Sequence, residues 1–254
     1  MKKNEIATKA STEMSVDLEA EFLNDSGAGM EEVDSTTTAI PFLSVLQGLS
    51  SAVSDGVEGA RPGVILNSVT REVYKEIMII PCAFQRRYLR WVPRSDGGGF
   101  KGMLMPSIVE SGVVDGVKTH VYTDDKGKKT LMVGSDELHD TRQHFVLSQS
   151  HNGIWTPAII SLSNTSIKTS KNFIAQIQNI GINTVNGVIK PPSFSHIFKM
   201  SCKKEENKKG AWFMPEFTLV GKVEDMSVYR QAKAFHAAIN TGVDVNYEQP
   251  SNLF

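Results

Sequence analysis

Residues 84–94 (FQRRYLRWVPR) hold three aromatic side chains and four arginines, directly after an apolar run over 77–83 that predicts a buried strand. If the strand continues, its side chains alternate between two faces. One face then carries Phe84, Arg86, Tyr88 and Arg90, and the other carries Gln85, Arg87, Leu89 and Trp91. Rings that stack bases, interleaved with guanidinium groups that neutralise phosphates, are typical of proteins that bind single strands. The alternative is that Leu89 and Trp91 point into the core while the arginine stems cover apolar surface.

The predicted nucleic-acid contacts extend beyond this segment. Lys101 follows a glycine-rich loop over 97–99, and Lys168 and Lys171 lie about one turn apart on a predicted helix. The predicted set is Phe84, Arg86, Arg87, Tyr88, Arg90, Trp91, Arg94, Lys101, Lys168 and Lys171. Trp155, Trp212 and Phe213 are weaker stacking candidates, because a tryptophan in a strand is more often part of the core.

The best cluster for metal chemistry lies at residues 136–140, where Asp136, Glu137, His139 and Asp140 could offer oxygen and nitrogen ligands. A solvated turn is the preferred interpretation, since no second acidic partner stands at a recognisable distance. The chain has no HExxH, GxSxG, Walker or dinucleotide-binding motif. We therefore predict no catalytic residue, no metal and no cofactor. A nuclease using Asp136, Glu137 and Asp140 is the least favoured alternative.

The charge is unevenly distributed. Residues 1–38 carry nine acids against three lysines, a net charge of −6, whereas residues 39–223 have a net charge of +7 and residues 224–254 a net charge of −2. A basic body with acidic ends suits a protein that binds polyanions and whose ends compete for the same surface.

The sequence predicts a single folded domain between two loose ends. Residues 1–38 are expected to be disordered, residues 39–240 to form the domain, and residues 241–254 to form a flexible tail. Two cysteines and no long apolar run predict a soluble protein of a reducing cytoplasm, without a membrane partner.

Many short strands, hairpin turns and about three helices predict a β-rich α+β fold. Asp124 to Gly127 is a strong hairpin signal, and Asp225 or Ser227 is expected to cap the last helix. Pro41 with Phe42, Val45, Leu46 and Leu49 predicts another helix. The leading candidate is the five-stranded oligonucleotide-binding barrel (OB fold) with extra hairpins, while a β-sandwich or another α+β arrangement stays open.

The order of four segments resembles a group of single-stranded-DNA-binding proteins encoded by tailed phages. The segments are residues 40–47, residues 61–65 with Asn67 and Thr70, residues 79–94, and residues 210–217 with Gly221. The similarity spans roughly residues 40–240. It implies an OB-type barrel that coats single-stranded DNA during phage replication and recombination in the host cytoplasm, without catalysis.

The resemblance also implies a docking end for other proteins, because such chains often end in a strongly acidic tail with a terminal phenylalanine. This tail ends in Leu253 and Phe254 but has only two acids. Phage replication or recombination proteins are therefore expected partners through this tail or through the acidic N-terminal segment. The alternative function is that of a phage structural or recombination-accessory protein, and the sequence leaves the oligomeric state open.

Overall fold

The computed structural model describes residues 16–26, 28–31, 39–185, 187–207 and 210–241. The chain divides into two units, residues 1–38 and 39–254. The described part of the first unit holds one helix, α1 (Val16–Asn24). The predicted docking residues Leu253 and Phe254 lie outside the described residues, and the predicted domain boundaries stay predictions.

The second unit is rich in strands. Its elements in chain order are β1 (Leu43–Val45), α2 (Ser51–Ser54), β2 (Ile65–Asn67), β3 (Val73–Tyr74), β4 (Glu76–Val92), β5 (Gly99–Leu104), α3 (Pro106–Glu110), β6 (Val113–Val114), β7 (Val117–Thr123), β8 (Lys129–Val133), β9 (Asp136–Gln149), β10 (Trp155–Ser163), α4 (Ile167–Gln178), β11 (Ile182–Thr184), β12 (Gly187–Ile189), β13 (His196–Asn207), β14 (Gly210–Lys222) and α5 (Met226–Asn240). The β-rich α+β class is confirmed. No helix among the described residues is long and apolar enough to cross a membrane.

Nine of these strands form one antiparallel sheet around the long central pair β4 and β9. Its order is β14-β13-β4-β9-β8-β7-β6, with β10 on β9 and β5 on β4. Because β4 and β9 are long, each takes one set of neighbours near one end and another set near the other. Different strands therefore extend the sheet at the two ends of the central pair. No closed barrel is present among the described residues, and the predicted OB fold is not confirmed.

Helices cover the two faces of this sheet at different places. We call the side of β4 that carries Arg86, Tyr88 and Arg90 the first face, and the side that carries Arg87 and Leu89 the second face. On the first face, α4 inserts Phe173, which is fully buried against the rings of Phe198 and Phe217. At the other end of the first face, α3 packs Val109 against Tyr88. On the second face, α5 packs Phe235 against Phe145 and buries Ala232 beside Cys82.

Residues 42–50 are not helical, so the helix predicted from Pro41 to about residue 56 is wrong over most of its length, and only its end forms α2. Residues Leu43–Val45 form β1, which pairs with β2, and the Ile159 backbone N–H donates to the Pro41 carbonyl at 2.9 Å. Phe42 is buried beside Phe145 and Ile159. Burial of Phe42 against these distant strands overrides the local helical spacing. The predicted hairpin at 124–127 and the Asp225 cap of α5 are both confirmed.

Gln47 and Gly63 hold Phe213 of β14 in place. The Gln47 side-chain amide donates to the Phe213 carbonyl at 2.7 Å and accepts from the Phe213 N–H at 2.9 Å, as a strand neighbour would. Gly63 has a φ of +85°, and a Cβ there would lie 2.5 Å from the Phe213 ring. Glycine is therefore required at position 63 for both its backbone conformation and its lack of a side chain.

Gly63→Ala should destabilise the protein by about 1–3 kcal/mol more than Gly56→Ala, because the new methyl group must displace the Phe213 ring. Gly56 is the matched control, since its φ of +69° is also positive but no atom lies within 4 Å of its added Cβ. Urea unfolding of both variants measures the difference. Equal losses of unfolding free energy would contradict the close approach of Phe213.

Candidate nucleic-acid interface

The arginines of the first face are paired with carboxylates from β9. The antiparallel register places Tyr88 opposite Asp140 and Arg90 opposite Leu138. Arg86 donates through Nε and one terminal nitrogen to the two oxygens of Asp140, both at 3.0 Å, and through the other to Glu110 at 2.6 Å. Arg142 donates to Asp140 as well. The Asp140 carboxylate therefore lies between two guanidinium groups.

A second carboxylate on the same face is held in the same manner. Arg90 donates to Asp136 at 2.6 Å and to Asp115 at 2.7 Å, and the Lys101 ammonium group donates to both oxygens of Asp136 at 2.8 and 3.0 Å. The Asp136 side chain is only 3% exposed. Burial opposes its charge, but hydrogen bonds from Lys101 and Arg90 outweigh burial and lower its pKa. Burial likewise opposes the charge of Asp140, but hydrogen bonds from Arg86 and Arg142 outweigh it and lower the pKa of Asp140.

These pairs change the interpretation of the predicted contacts. Arg86, Arg90 and Lys101 face carboxylates of the chain itself, so binding a phosphate there would require breaking buried or half-buried ion pairs. Tyr88 is 8% exposed and belongs to the core under α3, while its hydroxyl accepts from Arg86 at 2.8 Å. A buried ring has no open face for a base. We therefore leave Tyr88 and these three cations out of the interface.

The other predicted residues of 84–94 are dispersed. Phe84 is 43% exposed and tilts against the buried ring of His144, whose pKa burial lowers to about 3. Arg87 is half-buried on the second face and donates to the carbonyl of Arg86. Trp91 is half-buried against Phe100, with ring centroids 5.1 Å apart, and Arg94 is exposed in the following turn. Phe84 alone among the three predicted aromatics has more than a third of its surface exposed.

The predicted metal-like cluster does not converge on one point. Asp136 and Asp140 lie on the first face and accept from cations, whereas Glu137 lies on the second face and contacts His139 at 2.8 Å. No group of three His, Cys, Asp or Glu side chains within the described ranges is arranged to hold a metal ion. The geometry therefore gives no support to a nuclease site at these residues.

A groove between α4 and the β13–β14 hairpin brings together the predicted Lys168, the weaker candidate Trp212 and residues that were not predicted. Lys168, Thr169 and Asn172 form one wall, and Lys203 of β13 and Trp212 of β14 form the other. Its volume is about 420 Å³. Trp212 is half-buried, and its indole Nε1 is shielded from solvent with no partner in the described part of the chain. We call this the α4–β14 groove.

An apolar pocket adjoins the α4–β14 groove at Trp212. It has a volume of about 560 Å³, and its apolar lining includes Leu43, Leu49, Met200 and Phe213. Thr165, Trp212, Met214 and Pro215 line both spaces, so the two are neighbours. A polar compartment that holds an exposed lysine and adjoins an apolar one has the chemistry to take a nucleotide, with phosphate at Lys168 and the base beside Trp212.

Charge in the α4–β14 groove is balanced. Glu205 and Glu216 also line it, and Lys203 pairs with Glu205 at 3.0 Å. Lys168 is exposed and makes no ion pair in the described ranges, as is true of Lys171 one turn further along α4. Trp155 does not line the groove. It is partly buried and packs against the core cluster beneath α5. The groove therefore has no excess of positive charge among the residues that line it.

Sequence reasoning missed Lys203, Met214 and Gln47 as parts of this region. Lys203 and Met214 face each other in the register of the β13–β14 hairpin, and only their approach to α4 makes them walls of a groove. The alternation of side chains along β14 could have indicated part of this groove, because Trp212 and Met214 share one face of that strand.

Comparison with known proteins gives one match. The model of a family described as Pam3 phage gp34-like protein matches residues 10–243, which is nearly the whole chain. No curated protein matches the chain. No solved structure matches it either.

Asp136→Asn should destabilise the protein at neutral pH by about 1–3 kcal/mol, because Arg90 and Lys101 lose their anionic partner. Since the folded-state pKa of Asp136 is lowered, its charge contributes stability above the ordinary pKa of 3.8, and that contribution is lost as pH falls through the lowered value. The difference between wild type and variant should therefore shrink as pH falls from about 5 towards 2.

Urea unfolding across this pH range measures the effect. Asp125→Asn is the control, because Asp125 is exposed in the β7–β8 turn and makes no ion pair within the described residues. A pH-independent loss in Asp136→Asn, or an equal loss in the control, would contradict the assigned ion pairs.

Proposed function

This chain belongs to the Pam3 phage gp34-like family, and we propose that this phage protein binds single-stranded DNA, tolerates many sequences and catalyses no reaction on it. The observation that carries the proposal is that the α4–β14 groove adjoins an apolar pocket at the half-buried Trp212. Aromatic rings stack any base, so such a site binds single strands without selecting a sequence. We propose that the protein acts in this way during phage DNA replication or recombination.

The shape of the site favours single strands over duplex DNA. In a duplex the bases are stacked on one another and their faces are not free to meet Trp212 or Phe213. The balanced charge of the groove also gives little attraction for the denser phosphate charge of a duplex. We therefore expect oligo-dT to bind more tightly than a duplex of equal length.

Trp212→Ala should weaken oligo-dT binding by roughly five- to 150-fold, which corresponds to about 1–3 kcal/mol for one stacked base. Trp212→Phe is the matched control, because it keeps a ring and should retain most of the affinity. Fluorescence anisotropy with labelled oligo-dT measures binding, and thermal melting confirms that each variant is folded. Equal affinities of folded Trp212→Ala and Trp212→Phe would remove the groove from the interface.

The same titration separates the proposed function from its alternatives. Failure of the wild-type protein to bind any single strand, duplex or RNA would contradict the proposal and favour a structural or accessory role. Cleavage of the oligonucleotide during incubation with Mg²⁺ would contradict its non-catalytic part.

A further inference from the structure

The β7–β8 hairpin is a second charged surface, and no residue of it was among the predicted contacts. The strands pair from Thr119 with Val133 to Thr123 with Lys129, whereas β8 pairs with β9 only through Leu131–Val133. The end of the hairpin therefore has no strand beside it among the described residues. Val121 and Tyr122 point to opposite faces of β7 and are 59% and 54% exposed. The hairpin is thus exposed on both faces.

The charge of this hairpin differs from that of the first face. Residues 117–133 hold four lysines (Lys118, Lys126, Lys128 and Lys129) against two aspartates. All four lysines are exposed, and none makes an ion pair with any described residue. Asp124 accepts the backbone N–H groups of Lys126 and Lys128 at 2.9 and 2.8 Å, so its carboxylate fixes the turn. The lysine ammonium groups are therefore available to an external anion.

We propose that the β7–β8 hairpin binds the phosphates of the same DNA strand whose bases occupy the α4–β14 groove; this inference rests on the proposed function. The groove has balanced charge and supplies stacking, whereas the hairpin has excess positive charge and exposes Tyr122. A single-stranded nucleic acid presents both features that these surfaces complement, a row of phosphates and free base faces. The hairpin supplies the electrostatic part of the affinity that the neutralised arginines of β4 cannot supply.

The sheet topology sets the length of DNA that can reach both surfaces. β14 lies at one edge, and β7 is five strand-to-strand steps away along the order β14-β13-β4-β9-β8-β7. At about 4.8 Å a step, this is roughly 24 Å across the strands. The two surfaces are also offset along the central pair, because β13 meets β4 near the residue opposite Ser148 of β9, whereas β8 meets β9 at residues 136–138. Ten residues of strand add roughly 33 Å, so the two surfaces are roughly 40 Å apart. A strand that keeps the 3.4 Å rise per nucleotide of a duplex needs about twelve nucleotides to cover this distance, and a more extended strand needs fewer. An oligonucleotide of about four nucleotides engages one surface only.

The test is a triple variant of the full chain, Lys126→Gln with Lys128→Gln and Lys129→Gln. The matched control removes three exposed lysines elsewhere, Lys75→Gln with Lys190→Gln and Lys233→Gln, so that the net charge of the two proteins is equal. For oligo-dT of about 20 nucleotides, the hairpin variant should bind at least about tenfold more weakly at low salt. The slope of log affinity against log salt should fall by about 2, near 0.7 for each lost phosphate contact. For oligo-dT of about four nucleotides, the hairpin variant and the lysine control should bind with equal affinity.

The outcomes separate this inference from the proposed function. If the wild type binds oligo-dT and Trp212→Ala weakens it, but the hairpin variant equals the lysine control at both lengths, the inference is wrong and the proposed function stands. A hairpin variant that changes the oligomeric mass of the free protein and leaves DNA affinity unchanged would show an interface between copies instead, which also overturns it. Absence of any wild-type binding overturns the proposed function itself.

Discussion

The antiparallel pairing of β4 with β9 determines the position of nearly everything else in the second unit. It runs from Ile79 opposite Ser148 to Trp91 opposite Glu137 and gives each strand different neighbours along its length. The same register brings Asp140 and Asp136 of β9 beside Arg86 and Arg90 of β4. A shift of one residue would move these carboxylates to the other face, away from the arginines.

This pairing separates charge that stabilises the fold from charge that is available to a ligand. Arg86, Arg90 and Lys101 are tied to half-buried or buried carboxylates, and removal of one member of such a group costs more than the group contributes in net stability. Exposed lysines that make no ion pair with a described residue include Lys168 and Lys171 on α4 and the four lysines of the β7–β8 hairpin. The half-buried Trp212 lies where β14 meets α4. Under the proposed function, stacking falls to β14 and electrostatic attraction to the β7–β8 hairpin of the same sheet.

Features that depend on neighbouring residues were predictable from the sequence. The alternation along β4, the hairpin turn at Asp124 and the Asp225 cap each follow from a short local pattern. The ion pair that neutralises Arg86 was not predictable from the sequence, because Asp140 lies 54 positions away and only the β4–β9 register brings the two together. Burial of Tyr88 depends on α3 folding back over β4, and the strand at Leu43–Val45 depends on Phe42 packing against Ile159. Such long-range packing leaves no trace in local composition, which is why the open sheet was predicted as a closed barrel.

The central claim is that single-stranded DNA contacts the α4–β14 groove and the β7–β8 hairpin rather than the arginine-rich segment of β4. Ultraviolet cross-linking of the full chain to oligo-dT of about 20 nucleotides, followed by peptide mass spectrometry, tests it most directly. The account predicts cross-linked peptides that contain Trp212 or Phe213 and peptides that contain Tyr122. Cross-links confined to residues 84–94, with none in β14 or the hairpin, would contradict it.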